Sequence, residues 1–194
     1  MSVTLIDSPV ANVANIARAL RAAGADLNIT RDPDEIARSQ KVVLPGVGSF
    51  IAAMSWLEET RIADALRNST ASILGICVGH QLLFDLSYEM GTTRGLGLLR
   101  GTIGKIDGAL STPQIGWNRV TGRGPLFDGI ANGTAFYFVN SYAARNAASE
   151  SARADYNGAF TAAAQHGRVF GVQFHPEKSS AAGLRVLRNF LACK

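Results

Sequence analysis

Four short apolar runs divide the first half of this chain, and a helical pattern follows each of them. The runs are VTLID (3–7), ADLNIT (25–30), KVVLPG (41–46) and ASILGI (71–76). After the first, Val13, Ile16, Ala17 and Leu20 recur at helical spacing and end at Gly24, a C-cap position. DPDEIARS is a short helix with Pro33 in its first turn. SFIAAMSWLEE and IADALRN continue the helical pattern, and VGHQLLFDLSY (78–88) follows the fourth run. Strands that alternate with helices are the pattern of a parallel sheet covered on both faces. The expectation is an α/β fold: a mostly parallel central sheet with helices on both faces.

The texture changes after residue 94. GTIGKID, GWNRV, TAFYFVNSY, RADY, AFTAAAQ and RVFGVQF read as strands joined by glycine-rich turns, so the C-terminal half is richer in β-structure. AAGLRVLRNFLAC closes the chain as an amphipathic helix. No repeat, low-complexity tract or linker interrupts the 194 residues, and a single domain over 1–194 is expected.

Composition narrows the function classes. Hydrophobic residues make up 47% and charged ones 18%, enough to bury a core. The net charge of +4 comes from scattered Lys and Arg with no basic run, which argues against nucleic acid and suits a surface for an acidic partner. Two cysteines, Cys77 and Cys193, make no disulfide framework. MSVTLIDSPV lacks the basic start and apolar core of a signal peptide, and no apolar run reaches membrane-spanning length. A cytoplasmic protein is expected, without cofactor or metal.

The chemistry is concentrated in LGICVGHQ (74–81). Gly75, Cys77 and Gly79 form G-x-C-x-G, a nucleophile elbow with Cys in place of Ser. A strand must turn sharply into a helix there, and the flanking glycines let the backbone crowd that turn. The sulfur then projects over a helix N-terminus, whose partial positive charge favours thiolate. The amide of Val78 is an oxyanion donor in this reading.

FHPEK (174–178) supplies the partner. RVFGVQF brings His175 to the C-terminal end of a strand, the end where Cys77 emerges if the two strands are parallel. In an extended segment His175 and Glu177 face one side, with Pro176 between them. Cys77, His175 and Glu177 thus compose a triad of nucleophile, proton shuttle and orienting carboxylate. The other candidates are plainer. Cys193 lies in the terminal helix and reads as packing, His80 as a partly buried polar residue, His166 as a turn residue. LPGVGSF (44–50) offers either a tight strand-to-helix turn or a second oxyanion amide; Gly46 and Gly48 flank Val47, so the peptide there has room to rotate.

PGVGSF, GICVGHQLLF and FHPEKS, in that order and spacing, resemble the triad-type class I glutamine amidotransferases, whose fold is flavodoxin-like. PQIGWN, YFVNSY and HPEKS resemble the branch of that family that supplies glutaminase subunits to imidazole glycerol phosphate synthase in histidine biosynthesis. The resemblance covers essentially the whole chain. It implies hydrolysis of glutamine through a Cys77 thioester. Ammonia then passes to a separate (β/α)8 cyclase subunit that makes imidazole glycerol phosphate and AICAR, the two subunits forming a heterodimer. It implies oxyanion donors at Val47, Gly48 and Val78. Gly46, Gln81, Glu89, Ser141 and Tyr142 are implied around the glutamine. Asn12, Trp117, Tyr137 and Lys178 are implied at the cyclase interface or ammonia passage.

The chain departs from that pattern at three places. DSPVAN (7–12) stands where the family has a glycine-containing turn, Asn140 where His is common, and His80 where Met is common. These departures leave open a paralogous glutaminase subunit that feeds a different synthase. A cysteine peptidase or chaperone-like relative would carry His directly after the nucleophile, where this chain has Val78. A non-catalytic binding subunit would not need an intact triad.

Overall fold

The computed structural model describes residues 2–9 and 11–193; Val10, inside the DSPVAN segment, lies outside them. The first half alternates as its sequence pattern predicts: β1 (Ser2–Ile6), α1 (Val13–Ala23), β2 (Asp26–Thr30), α2 (Pro33–Arg38), β3 (Lys41–Gly46), α3 (Phe50–Glu59), α4 (Ile62–Arg67), β4 (Ser72–Cys77) and α5 (Val78–Leu82). Two short strands follow, β5 (Leu86–Ser87) and β6 (Thr93–Arg94). The β-rich half comprises β7 (Thr102–Lys105), β8 (Gln114–Gly122), β9 (Thr134–Asn140), β10 (Tyr142–Ala144), β11 (Glu150–Asp155), β12 (Ala159–His166) and β13 (Val169–Val172). Helix α6 (Ser180–Ala192) ends the described chain.

Nine strands form one sheet in the order β2-β1-β3-β4-β13-β12-β11-β8-β9. From β2 to β13 every pairing is parallel, and from β12 outward every pairing is antiparallel. Strands β3 and β4 are buried along their whole length, as strands covered on both faces must be. Helices α1 and α6 pack together on one face, and α2 to α5 form the other group. Strands β10, β7, β5 and β6 make a second, smaller sheet.

Local signals explain most helix ends. Asn12 caps α1 by accepting from the Asn15 amide, and Gly24 terminates it at φ 102°. Asp32 and Pro33 open α2. Ser49 caps α3.

Three expectations need correction. The helix after the elbow stops at Leu82 rather than continuing to residue 88. The carbonyls of Leu82, Leu83 and Phe84 instead accept from the amides of residues 96–99, so a loop replaces the next helical turns as hydrogen-bond partner. TAFYFVNSY is not one strand but two: it breaks at Ser141, and β9 joins the large sheet while β10 joins the small one. The segment after His175 is a 3₁₀ turn over Pro176–Lys178, not extended chain.

Beneath that turn lies an aromatic cluster. Phe174 stacks on Phe136 at 4.2 Å and meets Phe127 and Phe138 edge-on. Phe174 is fully buried, so the residue before His175 is fixed in the core.

Candidate active site

Cys77 sits between β4 and α5 with φ 55° and ψ −113°, a conformation that costs energy for any residue with a Cβ. Close packing holds it there. A Cβ on Gly79 would lie 2.0 Å from the Leu44 carbonyl oxygen, and one on Gly75 would lie 2.5 Å from the Gly79 oxygen. Only glycine lets the first turn of α5 rest directly on β3 and β4.

His175 reaches the same place from β13. Val172 pairs with Ile76 in parallel register, so the two strands deliver His175 and Cys77 at a common end. The imidazole Nδ1 lies 2.8 Å from Glu177 Oε1, and both side chains are nearly inaccessible to solvent. A 3₁₀ turn capped by His175 brings them together through one tight loop, instead of the alternation of an extended strand. Burial by itself would lower the His175 pKa. Hydrogen bonding with the Cys77 thiol and the Glu177 carboxylate, and the charges of both, outweigh burial and push it up to about 10.

A cleft of about 250 Å³ opens over the thiol. Cys77, Val78 and His175 line it, together with Val47 and Gly48 from the loop after β3, and Gln81, Glu89, Ser141 and Tyr142. Gly46 is not among its lining residues. It ends β3 opposite Cys77, and a Cβ there would lie 2.7 Å from the Gly79 amide nitrogen. Backbone freedom in this loop therefore belongs to Gly48, at φ 82° with open space around it.

The polar groups of the cleft are held from behind. Glu89 Oε2 accepts from the Phe50 amide at the start of α3, 2.8 Å away. Gln81 Nε2 donates to the Tyr142 carbonyl at 2.8 Å and to Gln173 Oε1 at 3.0 Å. Asn140 Nδ2 donates to the same Tyr142 carbonyl at 3.1 Å. Gln173 Nε2 approaches Cys77 Sγ at 3.9 Å, and Sγ lies 3.8 Å from the Val139 carbonyl. Gln173 escaped the sequence reading. Its signal was a lone amide in the otherwise apolar run VFGVQF, where it is fully buried.

His80 is not partly exposed. It is fully buried, and neither ring nitrogen has a hydrogen-bond partner among the described residues. Burial pushes its pKa down to about 3, so the ring is neutral. Cys193 lies far from the cleft. Its carbonyl accepts from the Lys41 ammonium, and Lys41 begins the strand whose other end meets Cys77. Burial raises the Cys193 thiol pKa, with Lys41 pulling the other way.

Beside the cleft, Trp117 and Tyr137 pair across β8 and β9 with ring centroids 6.0 Å apart, and the Lys178 ammonium lies 5.5 Å from the Tyr137 ring. Trp117 and Ile115 are more than half exposed. The His175 amide donates to the Tyr137 carbonyl at 2.9 Å, which ties this surface to the site. Asn12 is a helix cap and does not line the cleft. Among the described residues no cluster of His, Cys, Asp and Glu could hold a metal ion, and no helix is long and apolar enough to cross a membrane.

Comparison with known proteins agrees with this geometry. The family model for glutamine amidotransferase class-I matches residues 4–193. The imidazole glycerol phosphate synthase subunit HisH of Yersinia pseudotuberculosis is 39% identical over 98% of this chain and 99% of its own length. The HisH of Methylococcus capsulatus is 44% identical over 98% and 95%. Among solved structures, a glutamine amidotransferase superposes with TM-score 0.78 at 17% identity, covering 97% of this chain and 96% of its own. PurLQS from Thermotoga maritima gives 0.73 at 20% identity, covering 98% and 97%.

Proposed function

Because the chain belongs to the class I glutamine amidotransferases, we propose that Cys77, His175 and Glu177 carry out its hydrolysis of glutamine to glutamate and ammonia. The chain functions as the glutaminase subunit of an imidazole glycerol phosphate synthase, in histidine biosynthesis. One observation supports the assignment of roles above the others: parallel β4 and β13 end side by side, and present a thiol on a strained elbow next to a buried His–Glu pair.

Cys77 sulfur attacks the side-chain carboxamide carbon of glutamine, and the carbonyl becomes an oxyanion. The amides of Val78, Val47 and Gly48 are the donors proposed for it. His175 takes the thiol proton and gives it to the departing nitrogen, so ammonia leaves and a glutamyl thioester remains. His175 then removes a proton from water, which attacks the thioester; glutamate departs and the thiol is restored. Glu177 holds the imidazole by Nδ1, which leaves Nε2 to move protons. Gln81, Glu89, Ser141 and Tyr142 surround the bound amino acid, with Gly46 shaping the floor of the loop that carries Val47 and Gly48.

The partner is a (β/α)8 cyclase subunit, paired with this chain as a heterodimer. Trp117, Tyr137, Lys178 and Asn12 are the residues proposed to face it. The exposed aromatic and aliphatic surface beside the cleft supports that docking side, since it would be covered where ammonia must leave. Ammonia needs a covered exit because in neutral water it becomes ammonium, which is no nucleophile.

A glutamine-mimicking electrophile tests the assignment. It should label Cys77 and spare Cys193, whose thiol lies at the opposite end of β3. Equal labelling of both would remove Cys77 from its role.

A further inference from the structure

We infer that Gln173 is a positioning residue for the nucleophile: it presents an N–H to Cys77 sulfur in an orientation fixed by a relay that begins at the Tyr142 carbonyl. The inference rests on the glutaminase reading given above and adds a residue outside the triad to it.

The relay has only one self-consistent arrangement. A backbone carbonyl only accepts, so Gln81 must turn its Nε2 toward Tyr142 O, 2.8 Å away. The same nitrogen lies 3.0 Å from the Gln173 side-chain amide, which must therefore present Oε1 to it. That leaves the Gln173 NH₂ facing Cys77 Sγ at 3.9 Å. Each amide is oriented by the one before it, and the first is oriented by main chain that cannot flip. Gln81 and Gln173 are both buried, so water does not compete for these bonds.

The consequence is selective for one state of the sulfur. The neutral thiol can donate to the Val139 carbonyl, 3.8 Å away. The thiolate cannot donate, and that carbonyl repels it. It can accept from Gln173, and a hydrogen bond to an ionised group is stronger than one to a neutral group. Gln173 thus favours the attacking form and sets its direction. The titratable side chains that line the cleft with Cys77 are His175, with Glu177 behind it, Glu89 and Tyr142. His175 also hydrogen-bonds the sulfur, and Gln173, just after β13, adds a second donor from a fully buried position.

The test compares the parent chain with Gln173→Met, of similar length but with no donor, and with Gln173→Glu, which places an acceptor there. Each is assayed in complex with the cyclase subunit. The rate of Cys77 alkylation by iodoacetamide is followed from pH 5 to 10, beside glutamine turnover and thermal unfolding. Gln173→Met should move the rise in alkylation to higher pH by about one unit, an approximately tenfold slower reaction on the acid side with a similar plateau. Its kcat for glutamine should fall with KM little changed. Gln173→Glu should move the rise further, and it decides the question if the Met variant does not fold. Profiles that coincide with the parent would overturn the inference, even if the variants melt earlier, because a packing role lowers stability without moving that curve. If the parent Cys77 is not labelled by a glutamine-mimicking electrophile, the glutaminase reading itself falls, and this inference with it.

Discussion

His80 and Gly171 meet where α5 lies against β13, so closely that a Cβ on Gly171 would stand 2.0 Å from the imidazole Nδ1. The ring also meets Phe84 edge-on, with centroids 5.0 Å apart. An imidazole with no hydrogen-bond partner among the described residues thus fills an apolar space one turn from the nucleophile. Gly171→Ala should cost about 1–3 kcal/mol by overpacking. Adding His80→Ala should return part of that loss, so the two changes are non-additive. Urea unfolding of the two single variants and the double variant measures the coupling, and simple additivity would contradict the contact.

The same residue shapes stability in acid. Unfolded, His80 takes a proton near its ordinary value of 6.5; folded, it resists until about 3. The unfolded chain therefore binds more protons in that window, and stability falls as pH is lowered through it. His175 is raised, so below 6.5 it is protonated in both states and contributes no slope there. Its own contribution is present below 6.5 and lost as pH rises toward 10. Between pH 6.5 and 5, His80 should account for about 2 kcal/mol of lost stability. His80→Met should lose less over that interval by about this amount. Parallel curves for parent and variant would show that the ring is not buried neutral.

Glu177→Gln should be milder than His175→Ala. Removing the proposed proton shuttle should cost about 10²–10⁴ in glutamine turnover, whereas the part proposed for Glu177 is to hold Nδ1, 2.8 Å from its Oε1. Steady-state kinetics of the complex check this order, and a Glu177→Gln variant as inactive as His175→Ala would give the carboxylate a larger part.

Trp117→Ala should weaken binding of the cyclase by about 2 kcal/mol, or roughly 30-fold in Kd, as an aromatic anchor does. The side chain is more than half exposed, so stability of the isolated chain should change little. Calorimetric titration with the cyclase measures the first effect and thermal unfolding the second. An unchanged Kd would move the interface away from β8.

Much of this was legible in the sequence, because each signal was local. KVVLPG is β3 residue for residue, and Gly24 ends α1 as turn chemistry dictates. The elbow glycines gave the position of Cys77, and one parallel pairing was enough to bring His175 to it. What was missed depended on contacts distant in sequence. The loop 96–99 that takes over the carbonyls of Leu82 to Phe84 leaves no mark in the helical pattern of VGHQLLFDLSY. The break at Ser141 depends on which sheet each flanking strand joins. Gly46 reads as a flexible residue in PGVG, yet it serves as a close contact for α5. Gln173 acquires meaning only once Gln81 and Tyr142 are beside it.

In the proposed mechanism Cys77 performs the thioester chemistry and nothing else. The direct test of this is synthesis of imidazole glycerol phosphate by the complex carrying Cys77→Ala, with either glutamine or an ammonium salt as nitrogen source. Glutamine-driven synthesis should be absent and ammonia-driven synthesis close to that of the parent complex, since only the thioester step needs the thiol. Glutamine-driven synthesis that persists would place the nucleophile elsewhere, and loss of ammonia-driven synthesis as well would make Cys77 a structural residue.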